Sequence, residues 1–143
     1  MQDTYIQGYE HVEEGLKALL SSGYKLAIVT SKRRERALSG LNAFNLTKYF
    51  KVIVTPEDTL KHKPNGEPVL KACELLEIQP DEAIMVGDSH NDILSGKNAG
   101  AKTCLVSYTA LELQEVLKSE PDFVVDTIEE IVDIIENDKL KNA

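Results

Sequence analysis

Tryptophan is absent from this sequence, and cysteine occurs only twice, as Cys73 and Cys104. Both cysteines lie in apolar segments without CxxC spacing, so we predict small core residues of a reducing compartment rather than a disulfide framework. Long apolar runs are also lacking: no stretch approaches the roughly 18 residues of a membrane span, and the N-terminal MQDTYIQGYE has neither a basic start nor an apolar stretch. We therefore expect a cytoplasmic protein with no membrane partner.

Positive charge is scarce as well. The chain has 16 lysines and arginines against 24 aspartates and glutamates, which gives a formal net charge of -8. Surfaces that bind nucleic acids or anionic membranes need clustered basic residues, so this balance argues against both kinds of partner. With 143 residues, of which 42% are hydrophobic, we expect a single domain over residues 1–143.

Apolar segments alternate with helical patterns along the chain. Val12, Leu16 and Leu19 share one helical face, and the apolar segment YKLAIVT follows after Gly23. The predicted helices cover residues 12–20, 31–44, 66–77, 90–99, 109–118 and 128–135, and the predicted strands cover 24–30, 51–55, 82–87, 102–107 and 122–125. The strands are continuous apolar runs, which is typical of strands buried on both faces. The pattern predicts a doubly wound α/β fold with a mostly parallel sheet.

The segment IMVGDSHNDI places two carboxylates directly after a predicted strand. Asp88 follows Gly87, where we expect the chain to turn, and Asp92 lies one helical turn further on. Ligands of doubly wound sheets bind at the carboxyl ends of the strands, where two carboxylates can share a hard cation such as Mg²⁺. The alternative is structural: Asp88 or Ser89 caps the next helix, and Asp92 favours its positive N-terminus.

Two further polar groups are predicted at the same edge. Thr30 ends a strand, so its hydroxyl and the backbone amide of Ser31 can face an anion, although a β-branched residue at a strand end is also ordinary. The segment KHKP offers Lys63, which the following proline holds in an extended backbone, and a solvated lysine is the alternative. His11, His62 and His90 share no metal-ligand spacing, and only His90 is near Asp88 in the sequence, either as a solvated loop residue or as a substrate contact. The segment SKRRER is either a basic patch or a solvated helix start.

Taken in this order, the motifs resemble those of the haloacid dehalogenase superfamily of phosphohydrolases. KLAIVT with Thr30 is similar to the second motif of that family, Lys63 with its proline to the third, and Gly87-Asp88 to Asp92 to the fourth, GDxxxD. GDSHNDILSGKNAGAKT is close to the long form of the fourth motif, and the resemblance covers nearly the whole chain. GLKALLSSGYKLAIVTSK and HKPNGEPVLKACELL are similar to the phosphoglycolate phosphatase-like branch and its pyrophosphatase relatives.

This resemblance implies a role for each of the polar groups. Thr30 and the amide of Ser31 are expected to hold the transferring phosphoryl group, and Lys63 to balance its charge. Asp88 is expected to bind Mg²⁺, and Asp92 to hold the metal site directly or through a neighbouring group. Positioning and charge neutralisation are the main needs of phosphoryl transfer. The implied activity is Mg²⁺-dependent hydrolysis of small phosphate esters or anhydrides, and the implied partner is a small phosphorylated metabolite.

The attacking group of this family is missing from the sequence. In family members it is the first aspartate of a DxDx[TV] motif at the end of the first strand; neither that motif nor the cap domain that usually follows it occurs here. The nucleophile strand of the family lies between the Thr30 strand and the Asp88 strand, so we expect a gap of about 10 Å between those two strands. Unpaired backbone groups facing a dry gap would destabilise a monomer by about 1 to 3 kcal/mol each.

We therefore expect this chain to be a fragment, a truncated product or one part of an assembly. A homodimer, a complementing chain or its own N-terminal segment could fill the missing central strand, or the sheet could close across the gap. Two functions stay open: a phosphatase that is inactive as this chain alone, and a non-catalytic module of the same fold that binds phosphate or a protein. A phospho-accepting receiver domain fits less well, because its acids precede its threonine and lysine.

Overall fold

The computed structural model describes residues 9–107, 113–128 and 130–141. The strands in these ranges are β1 (Ala27–Val29), β2 (Val52–Val54), β3 (Ile84–Gly87), β4 (Lys102–Val106) and β5 (Phe123–Val125). The helices are α1 (Tyr9–Ser21), α2 (Arg34–Ala43), α3 (Glu67–Leu76), α4 (His90–Ala99), α5 (Leu113–Leu117) and α6 (Glu130–Lys141). Each predicted strand and helix has a counterpart, although the first part of the predicted 109–118 helix lies outside the described residues.

All strand pairs are parallel, as the sequence pattern predicts. β1 pairs with β2 so that Ala27 lies opposite Val52, and β4 pairs with both β3 and β5. α1 and α6 contact each other on one side of the strands, while α3 and α4 contact each other on the other side. Parallel strands between two helical layers define the doubly wound α/β class, so the predicted fold class is confirmed.

The sheet is interrupted at the place that the family resemblance predicts. β1 and β2 form a two-stranded sheet, whereas β3, β4 and β5 form a three-stranded one. No strand of the described residues pairs with both β1 and β3. The nucleophile-bearing central strand is therefore missing from the described part of the chain, as expected.

Apolar side chains cover both faces of the strands. On one face, Leu19 of α1, Ile131 of α6 and Cys104 of β4 belong to one buried cluster. On the other face, Cys73 of α3 and Met85 of β3 belong to a second buried cluster. Both cysteines are buried free thiols, so they occupy the core positions that their apolar contexts predict.

These clusters also connect the two sheets. Leu26, directly before β1, shares the first cluster with Ile84 and Val86 of β3. Val29 of β1 shares the second cluster with Met85 of β3. α3 contacts β1, β2 and α4 and so spans both halves. Side-chain packing therefore joins halves whose described strands share no hydrogen-bonded ladder.

The helix after β1 begins later than predicted. We expected it from residue 31, but α2 begins at Arg34. The reason is a turn at the end of β1, in which the backbone amide of Lys32 donates to the hydroxyl of Thr30 at 3.1 Å. The turn leaves Ser31 exposed at the edge of the sheet.

In the described ranges, none of the helices combines the length and apolar character that crossing a membrane requires.

Candidate active site at the carboxyl ends of the strands

Lys63 lies in the space between the two sheets. Its ammonium donates to the backbone carbonyl of Val29 at 2.8 Å and to Oδ1 of Asp92 at 2.6 Å. The carbonyl of Val29 points away from β2, because it shares one trans peptide group with the amide of Thr30, which donates to Val54 of β2, and the C=O and N–H of such a group point in opposite directions. The Lys63 and Asp92 side chains are only 9% and 15% exposed, so Lys63 is not a solvated lysine.

The loop that carries Lys63 is fixed to α4. The hydroxyl of Ser95 donates to the carbonyl of Asn65 at 2.7 Å, and the side-chain amide of Asn98 donates to the carbonyl of Pro64 at 2.8 Å. A Cβ on Gly66 would lie 2.7 Å from the backbone nitrogen of Ala99, so only glycine allows this approach. Because the loop is bound to α4, and Asp92 belongs to α4, these contacts hold Lys63 beside Asp92.

Asp92 makes contacts at both ends of its carboxylate. Oδ1 accepts from Lys63, and Oδ2 lies 3.3 Å from the backbone amide of Asp88, which donates to it. The Asp92 amide in turn donates to the hydroxyl of Ser89 at 3.2 Å, so Ser89 is the N-cap of α4. The structural alternative is thus correct for Ser89, while the Asp92 carboxylate is directed at Lys63 and Asp88.

Gly87 has a different role from the predicted turn. It is the last residue of β3, its φ is not positive, and the chain bends after it, at Asp88 and Ser89. A Cβ at Gly87 would lie 2.4 Å from the Cβ of Asp92. Glycine is required here because Asp92 lies against the strand, and not because the backbone needs a left-handed conformation.

The oxygen donors at this edge suit Mg²⁺. Mg²⁺ needs one or two carboxylates and keeps several waters, so Asp88 with Asp92 is a sufficient donor set. Because Asp92 already accepts from Lys63 and Asp88, Asp88 is the better candidate for direct contact. Among the described residues there is no group of three or more His, Cys, Asp or Glu side chains that could enclose a metal by protein ligands alone.

A polar clamp joins the Thr30 turn to the loop after β2. The Arg34 guanidinium donates to Oδ2 of Asp58 at 2.6 Å and to the carbonyl of Ile53 at 3.0 Å, and the Arg34 amide donates to Glu57 at 2.9 Å. Asp58 also accepts from the amide of Thr55 at 2.7 Å. These contacts fix the start of the loop that leads to Lys63.

The carboxylates of the clamp are stabilised in their charged form. The Thr55 amide, followed by Arg34 and the Thr55 hydroxyl, holds the pKa of Asp58 below its usual value although partial burial opposes this. The Arg34 amide is the main cause of the lowered pKa of Glu57. The clamp is therefore fully charged at neutral pH.

The structure brings four of the five predicted site residues into a connected arrangement. Thr30 follows Val29, to which Lys63 donates, and Lys63 contacts Asp92, which accepts from the Asp88 amide. Ser31, the fifth, shares a crevice with Thr30 and Lys63. The residues that hold this arrangement were missed in the sequence: Arg34, Asp58, Gly66, Ser95 and Asn98. The Asn-Gly pair after Pro64 was the one local signal of a tightly held loop.

Comparison with known proteins places this arrangement in a family. The model of the haloacid dehalogenase-like hydrolases matches residues 1–106. Among curated relatives, the chain is 52% identical over 136 residues to PpaX of Clostridium perfringens, covering 95% of this chain and 64% of that protein. It is 44% identical over 133 residues to the pyrophosphatase PpaX of Halalkalibacterium halodurans, covering 93% and 62%. The chain thus spans less than two thirds of the length of these relatives.

A solved structure agrees with the sequence relatives. The predicted phosphoglycolate phosphatase from Haemophilus somnus superposes with a TM-score of 0.81 and 30% identity, over 87% of this chain and 56% of that chain. Both branch names that the motifs suggested, phosphoglycolate phosphatase and pyrophosphatase, therefore recur among the relatives. With the parallel fold, the order of Thr30, Lys63 and Asp88 and the family model in agreement, the chain belongs to the haloacid dehalogenase-like hydrolase family.

Proposed function

We propose that this chain supplies the binding part of a Mg²⁺-dependent phosphohydrolase site for small phosphate esters or anhydrides. The observation that carries the proposal is the buried Lys63 ammonium, held by Val29 and Asp92 beside the Thr30 turn. A fixed cation next to a hydroxyl and a backbone amide stabilises the charge spread over a transferring phosphoryl group. Inorganic diphosphate is the first candidate substrate, because the relative from Halalkalibacterium halodurans is named a pyrophosphatase.

Each predicted residue keeps a distinct part in this proposal. Thr30 and the Ser31 amide bind phosphate oxygens, and Lys63 neutralises their charge. Asp88 would hold Mg²⁺, which would further neutralise the charge of the phosphate. Asp92 positions Lys63 and the Asp88 backbone, as its contacts at 2.6 and 3.3 Å indicate.

The attacking carboxylate is proposed to come from a strand that enters between β1 and β3. The carbonyl of Val29 faces this space, and β3 pairs with β4 along its other edge. A parallel strand placed there could pair with both edges and end beside Lys63. Its carboxylate would attack phosphorus as the bond to the leaving oxygen breaks, and water would then release phosphate from the acyl phosphate. A complementing chain would supply this strand. A second copy of this chain could fill the gap between β1 and β3, but it has no DxDx[TV] motif and so brings no attacking carboxylate.

The test is complementation in trans. The full chain is mixed with a polypeptide that carries a strand ending in the DxDx[TV] motif of the family, and phosphate release is measured from p-nitrophenyl phosphate and from inorganic diphosphate. We expect hydrolysis only in the mixture, only with Mg²⁺, and not with the Asp88→Asn variant. Sedimentation of the chain alone shows whether two copies already combine.

A non-catalytic module is the second candidate function. It is favoured by one observation: the sequence has no DxDx[TV] motif, while Lys63 and Asp92 already form a closed pair. A mixture that binds phosphate through Lys63 but hydrolyses neither p-nitrophenyl phosphate nor diphosphate would support this module and contradict the phosphatase.

The proposed location is the cytoplasm, and the proposed partner is a small phosphorylated metabolite rather than a nucleic acid or a membrane. Burial, with a smaller contribution from Glu130, raises the pKa of the Cys104 thiol to about 12. A thiol that stays protonated and buried is unreactive, which suits a core residue in a reducing compartment.

A further inference from the structure

The crevice beside Thr30 and Lys63 opens towards exposed side chains of the loop after β2. Thr30, Ser31, Thr59, His62 and Lys63 are among its lining residues. The crevice encloses only about 10 Å³, which is room for one water at most. A phosphate must therefore lie over the mouth of the crevice, where Ser31 and His62 are exposed.

The mouth is basic although the chain as a whole is acidic. Residues 30–36 and 59–63 contain six lysines and arginines and one glutamate, in a chain whose net charge is -8. The acids of the intervening turn, Glu57 and Asp58, are bound to Arg34. These two acids offset part of the excess, and the two segments taken together with them still carry a net charge of +3.

Lys61 and His62 present side chains on a fixed backbone. The Lys61 amide donates to Glu67 at 2.6 Å, its carbonyl accepts from the Thr59 hydroxyl at 2.7 Å, and the His62 carbonyl accepts from the Asn65 amide at 2.9 Å. By contrast, the Lys61 ammonium and the His62 imidazole make no hydrogen bond or ion pair with any residue that the structure describes; His62 lines the crevice, and Lys61 is the exposed residue directly before it. Side-chain donors that extend from a fixed backbone and have no protein partner are available to an anionic ligand.

We propose that Lys61 and His62 bind the second phosphate of an inorganic diphosphate whose first phosphate is held by Thr30, Ser31 and Lys63. This assignment rests on the proposed phosphate site and adds the residues that select the substrate. The leaving group of a diphosphate is itself a polyanion, whereas the leaving group of a simple ester is a neutral alcohol. Two additional donors beside the transferred phosphate therefore favour the anhydride.

The experiment measures binding rather than turnover. Isothermal titration of the full chain compares inorganic phosphate with methylenediphosphonate, a diphosphate analogue that is not hydrolysed, without added Mg²⁺. The double variant Lys61→Gln with His62→Gln is compared with Lys118→Gln, which removes one charge at an exposed pair with Glu115. Charge-assisted hydrogen bonds of this kind change affinity by roughly tenfold or more.

We expect the wild type to bind the diphosphonate at least about tenfold more tightly than phosphate. The double variant should lose that preference while its affinity for phosphate changes less than about twofold, and Lys118→Gln should change neither. Equal affinities in the wild type, or an equal loss for both ligands in the double variant, would overturn the assignment of Lys61 and His62 alone. Absence of binding by either ligand to the wild type would overturn the phosphate site and this assignment with it.

Discussion

The two halves of the molecule are stabilised in different ways. In the three-stranded half, β4 is paired on both edges, and its residues Thr103, Cys104 and Leu105 are at most 1% exposed. In the two-stranded half, the three residues of β1 are all partly exposed. A two-stranded sheet is marginal by itself, so this half depends on α3 and on the buried cluster that packs against Ile28 and Ile53, and the Arg34 clamp and Lys63 add polar contacts at its carboxyl end. The edge proposed to bind Mg²⁺ thus belongs to the half whose central strand is paired on both sides, and the edge proposed to bind phosphate belongs to the half that adds polar contacts to its apolar packing.

The largest effect is expected from the apolar half. Leu105 is fully buried and shares a cluster with Ile93 and Val116. Leu105→Ala leaves a cavity in that cluster, so we expect the free energy of unfolding to fall by about 2 to 5 kcal/mol in urea denaturation. Leu60→Ala is the matched control, because Leu60 is 92% exposed and should change stability by less than about 0.5 kcal/mol. Similar losses of unfolding free energy in Leu105→Ala and Leu60→Ala would contradict the claim that a buried apolar core stabilises the three-stranded half.

Lys63→Met should have the next largest effect. It leaves the largely buried Asp92 carboxylate without its cation, which destabilises the fold by about 3 kcal/mol and removes phosphate binding. Adding Asp92→Asn should recover part of the stability, because a neutral amide is easier to bury than a carboxylate, but should not recover phosphate binding. Urea denaturation and phosphate titration of the two variants measure these effects. The Asp92→Asn single variant completes the comparison. If the stability losses of the two single variants simply added in the double variant, Lys63 and Asp92 would not be coupled.

The smallest effect is expected from the clamp. Asp58→Asn keeps an acceptor for Thr55 but removes the charge beside Arg34, so we expect a loss of about 1 kcal/mol at neutral pH. Because the pKa of Asp58 is lowered in the folded state, its contribution is present above the unfolded pKa and is lost as pH falls through the folded value. The difference between the variant and the wild type should therefore narrow below about pH 4 in denaturation curves.

A matched control separates the clamp from ordinary surface charge. Glu115→Gln removes one partner of an exposed helical pair with Lys118 and should leave stability unchanged within about 0.5 kcal/mol at every pH. A loss for Asp58→Asn that stayed constant down to pH 2 would show that its charge contributes nothing.

Local patterns predict the elements of this fold well, because strand and helix periodicity is visible in the sequence. The parallel sheet was predicted from the continuous apolar strands, and the break between β1 and β3 from the missing DxDx[TV] motif. The groups Thr30, Lys63 and Asp92 were found through family motifs. What was missed depends on contacts between distant residues: the Arg34 clamp spans 24 positions and the Ser95 contact 30. No local pattern encodes such pairs, and Gly87 was misjudged because its neighbour in space is Asp92.

One side of α4 carries both the site and the support of its partner loop. Asp92, Ser95 and Ala99 are spaced three and four residues apart, so they form a single stripe along the helix. Inserting one residue between Asp92 and Ser95 would turn the two parts of the stripe apart by about 100°. The helix would still form, yet Lys63 could not contact the Asp92 carboxylate while its loop stays bound to Ser95. The length of α4 between these residues is therefore fixed by geometry, whichever side chains fill the other positions.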